Sequence, residues 1–406
     1  MKKLFVFFYI VVFCNLFVYA QSGWTTLTSG TTNYLMAVCF TDENTGYAVG
    51  SGGIILKTTN AGTVWTEQTS GTTYSLLSVY FIDTVTGFAV GDYGTILKTT
   101  NAGTNWTLQS NSTYLLTSVY FTDVSTGYVL GGDINYGVIL KTTNAGINWS
   151  LQASGTTNGL FSVYFIDANM GYVVGDNGII LNTNNASADW TVQTSNTTYS
   201  LYSVYFTDAN TGYTVGGGYN GVNTESTILK TINGGALWIS QISETTNPLF
   251  SVFFSNPNMG YAVGLNGTIL KTTNAGNNWA TQASGTVNGL NSVYFIDANT
   301  GYAVGDGGII LKTTTGGEPT IIVSNTTKDN NLKIYPNPSD DIFTIEFDNH
   351  SNKAVLISIT DLSGEIVFET TCVQKKYFFF RKALNPGIYI VKILGDRISY
   401  GKIVVK

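Results

Sequence analysis

The chain has 406 residues, of which 11% are charged, 13% are aromatic and 45 are glycine, with a formal net charge of −6. That apolar and aromatic content excludes a disordered protein, and the lack of a basic footprint excludes a nucleic-acid binder. The one histidine, His350, and both arginines, Arg381 and Arg397, lie in the last 60 residues, so the first 340 supply no histidine base, histidine-rich metal site or arginine clamp.

At the N-terminus, Lys2 and Lys3 precede an apolar run from Leu4 to Val18, which ends at Val18-Tyr19-Ala20. A charged start, an apolar middle and small residues before a cut read as a secretory signal peptide over 1–20. The run falls short of the roughly 20 residues of a spanning helix, which disfavours a retained anchor. Phe13 before Cys14 does not suit a lipoprotein site. No later stretch is long and apolar enough to span a bilayer, so no stable membrane span is expected after cleavage. Cys39 and Cys372 then remain, over 300 residues apart, and stability is expected to rest on packing.

The middle of the chain repeats one unit. Gly-aromatic pairs begin at Gly46, Gly87, Gly127, Gly171, Gly212, Gly260 and Gly301, spaced 40–48 residues apart. All seven tryptophans keep the same rhythm: Trp24, Trp65, Trp106, Trp149, Trp190, Trp238 and Trp279. Such a period leaves helical pairs or propeller blades. Residues 76–109 decide between them. Leu76 to Phe81, Phe88 to Val90, Thr95 to Thr100 and Trp106 to Gln109 are short β-branched or aromatic runs between Gly, Asn and Asp turns. Four short strands per repeat is the pattern of a blade, and no window carries a helical apolar stripe.

The two markers are out of phase. Trp24 precedes the first Gly-aromatic pair, and the last repeat ends at Leu311–Gly317 with no tryptophan after it. The segment Gly23–Leu27 therefore reads as the missing fourth strand of the last blade. The expected fold is all-β: a seven-bladed β-propeller over 21–318 closed by its N-terminal strand.

The turn before each tryptophan, as in Thr58-Thr59-Asn60-Ala61-Gly62-Thr63-Val64-Trp65, resembles the Asp-box of sialidase-like propellers, with Asn in place of Asp. The whole unit resembles the repeat of the photosystem II stability/assembly factor propellers, in all seven copies. Repeat 4 departs from it at Asn182 and Ser187. The likeness implies the fold. It does not imply a photosynthetic role.

Residues 319–331 break the repeat and read as a linker. Apolar alternation then resumes in Phe343–Phe347, Val355–Asp361, Ile366–Phe368, Ile388–Ile393 and Lys402–Lys406, which suggests a small antiparallel β-sandwich over 332–406. Residues 21–320 hold 6 Lys against 16 acidic residues, while 321–406 hold 11 basic against 9 acidic, a shift that marks a second domain. This tail resembles the C-terminal sorting domain of the type IX secretion system of Bacteroidetes. The likeness lies in Tyr335-Pro336-Asn337-Pro338, in Asp361-Leu362-Ser363-Gly364, in Leu384–Val391 with Gly387 and Tyr389, and in the terminal Lys402–Lys406. It implies type IX machinery as a partner, passage through the periplasm, and a secreted or outer-surface protein. An accessory sandwich that binds glycan or protein is the alternative.

Six repeats place a lysine at one position (Lys57, Lys98, Lys141, Lys230, Lys271, Lys312), and six place an aspartate after the first strand (Asp42, Asp83, Asp123, Asp167, Asp208, Asp297). Residues that recur in every blade are expected to cap turns and join blades. Function is expected where repeats differ. Repeat 3 lengthens Gly131–Gly137 by three residues and repeat 5 lengthens Gly216–Ser226 by seven, both between the second and third strands. The same loops carry Asp92, Tyr93, Asp133, Tyr136, Asp176, Tyr219 and Asp306, the candidate rim for a surface protein or glycan. Asp is also an ordinary residue of Gly-rich turns. No catalytic residue, cofactor or metal site is expected. The expected function is a non-catalytic interaction module, with a glycan-active hydrolase using paired loop carboxylates as the alternative.

Overall fold

The computed structural model describes residues 21–406 except 111–112, 134–135, 220, 222–223, 321–331, 340–341, 348–353, 362–365, 381–383, 395–397 and 406. The expected signal peptide, most of the linker and Gly364 lie outside the described residues. One compact unit holds Ser22–Thr320 and a second holds Ile321–Lys406.

Among the described residues, the repeats form seven open four-stranded antiparallel sheets, none of which closes on itself. In the second, Leu76–Phe81, Gly87–Gly91, Ile96–Thr99 and Thr107–Ser110 pair in chain order. In the first six sheets the tryptophan sits just before the fourth strand, and in the last Trp24 lies within it. It packs edge-on against the phenylalanine of its own sheet's first strand, with ring centroids 5.8–6.2 Å apart in all seven sheets. That phenylalanine explains the glycine of the Gly-aromatic pair, because a Cβ at Gly46 would stand 2.5 Å from the Phe40 ring.

The last sheet draws on both ends of the unit. Its strands are Leu290–Phe295, Gly301–Gly305, Ile310–Thr320 and, as the fourth, Gln21–Leu27. Trp24 is 3% exposed there, with its ring against Phe295 and Tyr261 and its indole N–H donated to Gln282 Oε1 at 3.0 Å.

The two lengthened loops are hairpin extensions. Gly127–Asp133 pairs with Tyr136–Thr142, and Gly212–Tyr219 pairs with Thr224–Thr231, each in register to the tip. The sequence insertions thus lengthen strands.

In the second unit, Lys333–Tyr335, Ile342–Glu346 and Lys376–Phe380 form one sheet. Ile366–Cys372, Val355–Thr360, Gly387–Leu394 and Ile398–Val405 form another. Phe343 and Ile345 of the first share a core with Ile357, Ile359, Val391 and Ile403 of the second. Sequence alternation located five of these strands and missed Lys333–Tyr335 and Lys376–Phe380.

Candidate functional site

The recurring polar residues determine what is left for recognition. Each aspartate after a first strand closes its own turn. Asp123 Oδ1 accepts the backbone N–H groups of Ser125 and Thr126 at 2.7 and 2.8 Å, and these bonds hold its carboxyl below the ordinary 3.8. Asp167 is lowered in the same way by Asn169 and Met170. In repeat 6, Asn256 makes the same cap without charge.

Each lysine joins its sheet to the next. Lys57 Nζ donates to Ala102 O at 2.7 Å, and the Tyr47 hydroxyl donates to the same oxygen at 2.9 Å. Ala102 lies in the turn before Trp106, at φ 54°, which aims its carbonyl back at the preceding sheet. The Tyr47 ring stacks on Phe81 of that next sheet at 4.0 Å. The pattern repeats from sheet to sheet, and between the last repeat and the first Lys312 and Tyr302 both donate to Ala61 O at 2.7 and 2.8 Å. Lys271 differs, since it pairs with Glu318 at 2.5 Å, while Tyr261 donates to Gly316 O. Repeat 4 also differs. Asn182 stays within its own sheet and leaves Gly234 O to Tyr172 alone, at 2.8 Å.

The loop between second and third strands sits, in each repeat, against the link to the following sheet. A Cβ on Gly53 would stand 2.1 Å from Thr72 O, and one on Gly308 would stand 2.2 Å from Thr31 O. In the lengthened repeats Gly137 N donates to Thr156 O and Ser226 Oγ to Thr245 O. The loops and links therefore share a surface.

The predicted rim residues occupy these loops, and Tyr93, Tyr136, Tyr219, Asp176 and Asp306 each meet a partner of their own. Tyr93 is 59% exposed, at φ 54°, with its ring 4.5 Å from Tyr74. Tyr136 is exposed and meets Tyr114 at 5.9 Å. Tyr219 is exposed, and its hydroxyl returns to Gly221 O. Asp92 opens its turn, where its carbonyl accepts Thr95 N and Oγ1. The backbone of Asp133 pairs with that of Tyr136. Asp176 Oδ1 accepts the Ser200 hydroxyl at 2.9 Å, and Asp306 Oδ1 accepts Asn291 Nδ2 at 3.1 Å. Among the described residues, no group of three or more His, Cys, Asp or Glu is placed to hold a metal.

Sequence reasoning missed a second set. First strands of neighbouring sheets lie side by side, with Val119 N donating to Ser78 Oγ and Val38 N to Ser292 Oγ. Each carries an irregularity in register one residue after its buried leucine. The residue there is Met36, Leu77, Thr117, Phe161, Tyr202, Phe250 or Asn291, while the flanking Leu and Val persist in every copy. The signal was present in the repeat itself, as one changing position inside a constant strand. Phe161 and Tyr202 are 5.3 Å apart, and Tyr202 and Phe250 are 5.6 Å apart.

In the tail, Asn337 of the Pro336-Asn337-Pro338 segment reaches the last strand. Its Nδ2 donates to Lys402 O at 2.6 Å, and its Oδ1 accepts Val404 N at 2.9 Å. Tyr389 is buried, with its hydroxyl on Asn385 O, and Gly387 opens the strand opposite Val405. Asp361 follows the strand Val355–Thr360.

Residues 333–406 match the family described as secretion system C-terminal sorting domain. Residues 17–111 and 238–328 match the photosynthesis system II assembly factor YCF48 family. No curated protein matches the sequence. Among solved structures, a YCF48 bound to a D1 peptide superposes with a TM-score of 0.60 at 18% identity, over 72% of this chain and 95% of that one. The GH74 enzyme of Niastella koreensis gives 0.58 at 14% identity, over 93% and 66%. PorZ, a surface component of the type IX secretion system of Porphyromonas gingivalis, gives 0.52 at 12% identity, over 90% and 58%. These likenesses fix the fold of the repeats as a β-propeller. The sorting domain implies export to the cell surface or secretion, and no described helix is long and apolar enough to cross a membrane. The chain thus carries β-propeller repeats that are similar, over 17–111 and 238–328, to those of the photosystem II assembly factor YCF48 family, followed over 333–406 by a match to the secretion system C-terminal sorting domain.

Proposed function

We propose that the chain is an exported, non-catalytic recognition module. Its seven sheets are the blades of one closed propeller latched by the strand Gln21–Leu27. Type IX machinery engages residues 332–406 and moves the protein from the periplasm to the outer surface or the medium. The loop surface then binds a surface protein or glycan.

One observation carries this reading. The lysines, aspartates, tryptophans and Gly-Tyr tyrosines that recur hold turns and sheets, which supports a binding role over a reaction centre built from them. The exposed tyrosines and the lengthened hairpins remain for a ligand. Closure is supported by the bonds that run from Ser292, Tyr302 and Lys312 to residues 38 and 61, and by a core shared by Leu35, Tyr302 and Val304.

The test is a screen of the purified chain against outer-membrane proteins and bacterial glycans, beside a variant with 216–226 replaced by a short turn. A ligand held by the native chain and weakened at least about tenfold in the variant is expected, a difference of about 1.4 kcal/mol. Equal binding by both overturns the loop assignment. Release of sugar from a bound glycan would instead establish the hydrolase, whose two carboxyls must stand about 5–9.5 Å apart.

A further inference from the structure

The changing position of the first strands deepens the reading of the loop surface as a recognition face, and the site it forms rests on that reading. Phe161, Tyr202 and Phe250 belong to three successive repeats and form a continuous, half-buried aromatic arc. The Asp176 carboxylate lies at its edge, bonded to the Ser200 hydroxyl two residues before Tyr202. Burial raises the pKa of the Tyr202 phenol, and the negative charge of Asp176 adds to that shift.

No cation of this unit is free to answer that charge. Its six lysines donate to carbonyl oxygens or to Glu318 between sheets. Residues 21–320 carry 6 Lys and 16 acidic residues. An aromatic surface edged by a carboxylate, in a unit of net negative charge, suits a positive group on an apolar stem. The molecule already uses this chemistry. Lys141 lies 5.5 Å from the centroid of the Tyr128 ring with its ammonium on the Ala186 carbonyl, and Lys312 lies 5.5 Å from that of Tyr302.

We propose that the arc Phe161–Tyr202–Phe250, with Asp176, is a docking site for a lysine or arginine side chain on an extended segment of a partner protein. The aliphatic stem covers the rings. The charged head faces Asp176. An acidic ligand is repelled, and a neutral sugar gains nothing from the carboxylate's charge.

The test uses the full chain and a fluorescein-labelled peptide of alternating lysine and glycine, read by anisotropy at about 150 mM salt, where distant charges are screened. The expected result is binding that Asp176→Asn weakens about fivefold and Tyr202→Ala with Phe250→Ala weakens at least tenfold, in line with cation–π energies at a partly buried site. Tyr202→Phe should keep most of the affinity, and Glu43→Gln, an exposed carboxylate in a turn of repeat 1, should change it less than twofold. Unchanged thermal melting of the variants shows that they fold. Equal effects of Asp176→Asn and Glu43→Gln would reduce the binding to bulk acidity and overturn the site. Cellohexaose or a glutamate–glycine peptide bound in its place would also overturn it. If the arc variants bind normally while replacement of 216–226 abolishes binding, this site fails and the recognition face stands. If no ligand of any class binds the native chain, both fail.

Discussion

In the repeat unit, apolar side chains collect in seven separate clusters, and each of them takes residues from two neighbouring sheets. The tail instead draws Phe343, Ile357, Val391 and Ile403 into a single core. Repeated joints divide the load, so a defect at one is felt mostly between two sheets. A single core shares every defect. The two regions also hold different kinds of residue. In the repeats, a side chain that recurs holds a turn or a joint, and one that changes is open to another task. In the tail nothing recurs, and a short segment such as Tyr335–Pro338 ties the domain together through Asn337.

The contrast is most exposed at the joints made from distant parts of the chain. Trp24→Ala should cost about 3–5 kcal/mol, the usual range for emptying a buried tryptophan site. Deleting 21–30 should leave the repeat unit open to proteolysis. Melting and limited digestion read both, and a native melting temperature after the deletion would show that the N-terminal strand is dispensable. Next comes Asn337→Ala, which removes two bonds to the terminal strand. It should lower tail stability by about 1–2 kcal/mol and leave the melting of 21–320 unchanged. Surface display should fall with it, and normal display would separate folding from sorting.

A third change repairs a joint. Asn182→Lys restores the missing donor to Gly234 O and should stabilise the repeats by about 1 kcal/mol, whereas Lys141→Met should cost a similar amount. The smallest effect is that of acid. Asp42, Asp83, Asp123, Asp167, Asp208 and Asp297 all titrate below 3.8 in the folded chain. A lowered folded pKa stabilises above the unfolded value, and that stability is lost as pH falls through the folded one. The melting temperature of 21–320 should therefore be flat from neutral pH to about 5 and decline below about 4.

Much of the architecture was legible because its markers are rigidly spaced. A glycine is required wherever the first-strand phenylalanine covers the backbone, and a tryptophan wherever the last turn meets that ring. Their offset pointed to the pairing of Gln21–Leu27 with Ile310–Thr320. The candidate rim was half legible. Tyr93, Tyr136 and Tyr219 are exposed on the loops, but Asp176 and Asp306 have partners that no spacing rule announces, Ser200 and Asn291. The arc of Phe161, Tyr202 and Phe250 escaped because an irregular register hides which way a strand residue faces. In the tail, Lys333–Tyr335 is too short to show alternation.

The strand Gln21–Leu27 finds its partner nearly three hundred residues later in the chain. During synthesis or threading through a translocon it emerges first and pairs last, with a bare edge and an unburied indole in the interval. Six sheets can form from neighbouring sequence while it waits. Bringing the two ends together carries the largest loop-closure cost in the unit, so completion of the last sheet is set to be its slow step. A nascent chain halted before Ile310 would keep six sheets and an orphaned N-terminal strand, an obvious handle for a chaperone or protease.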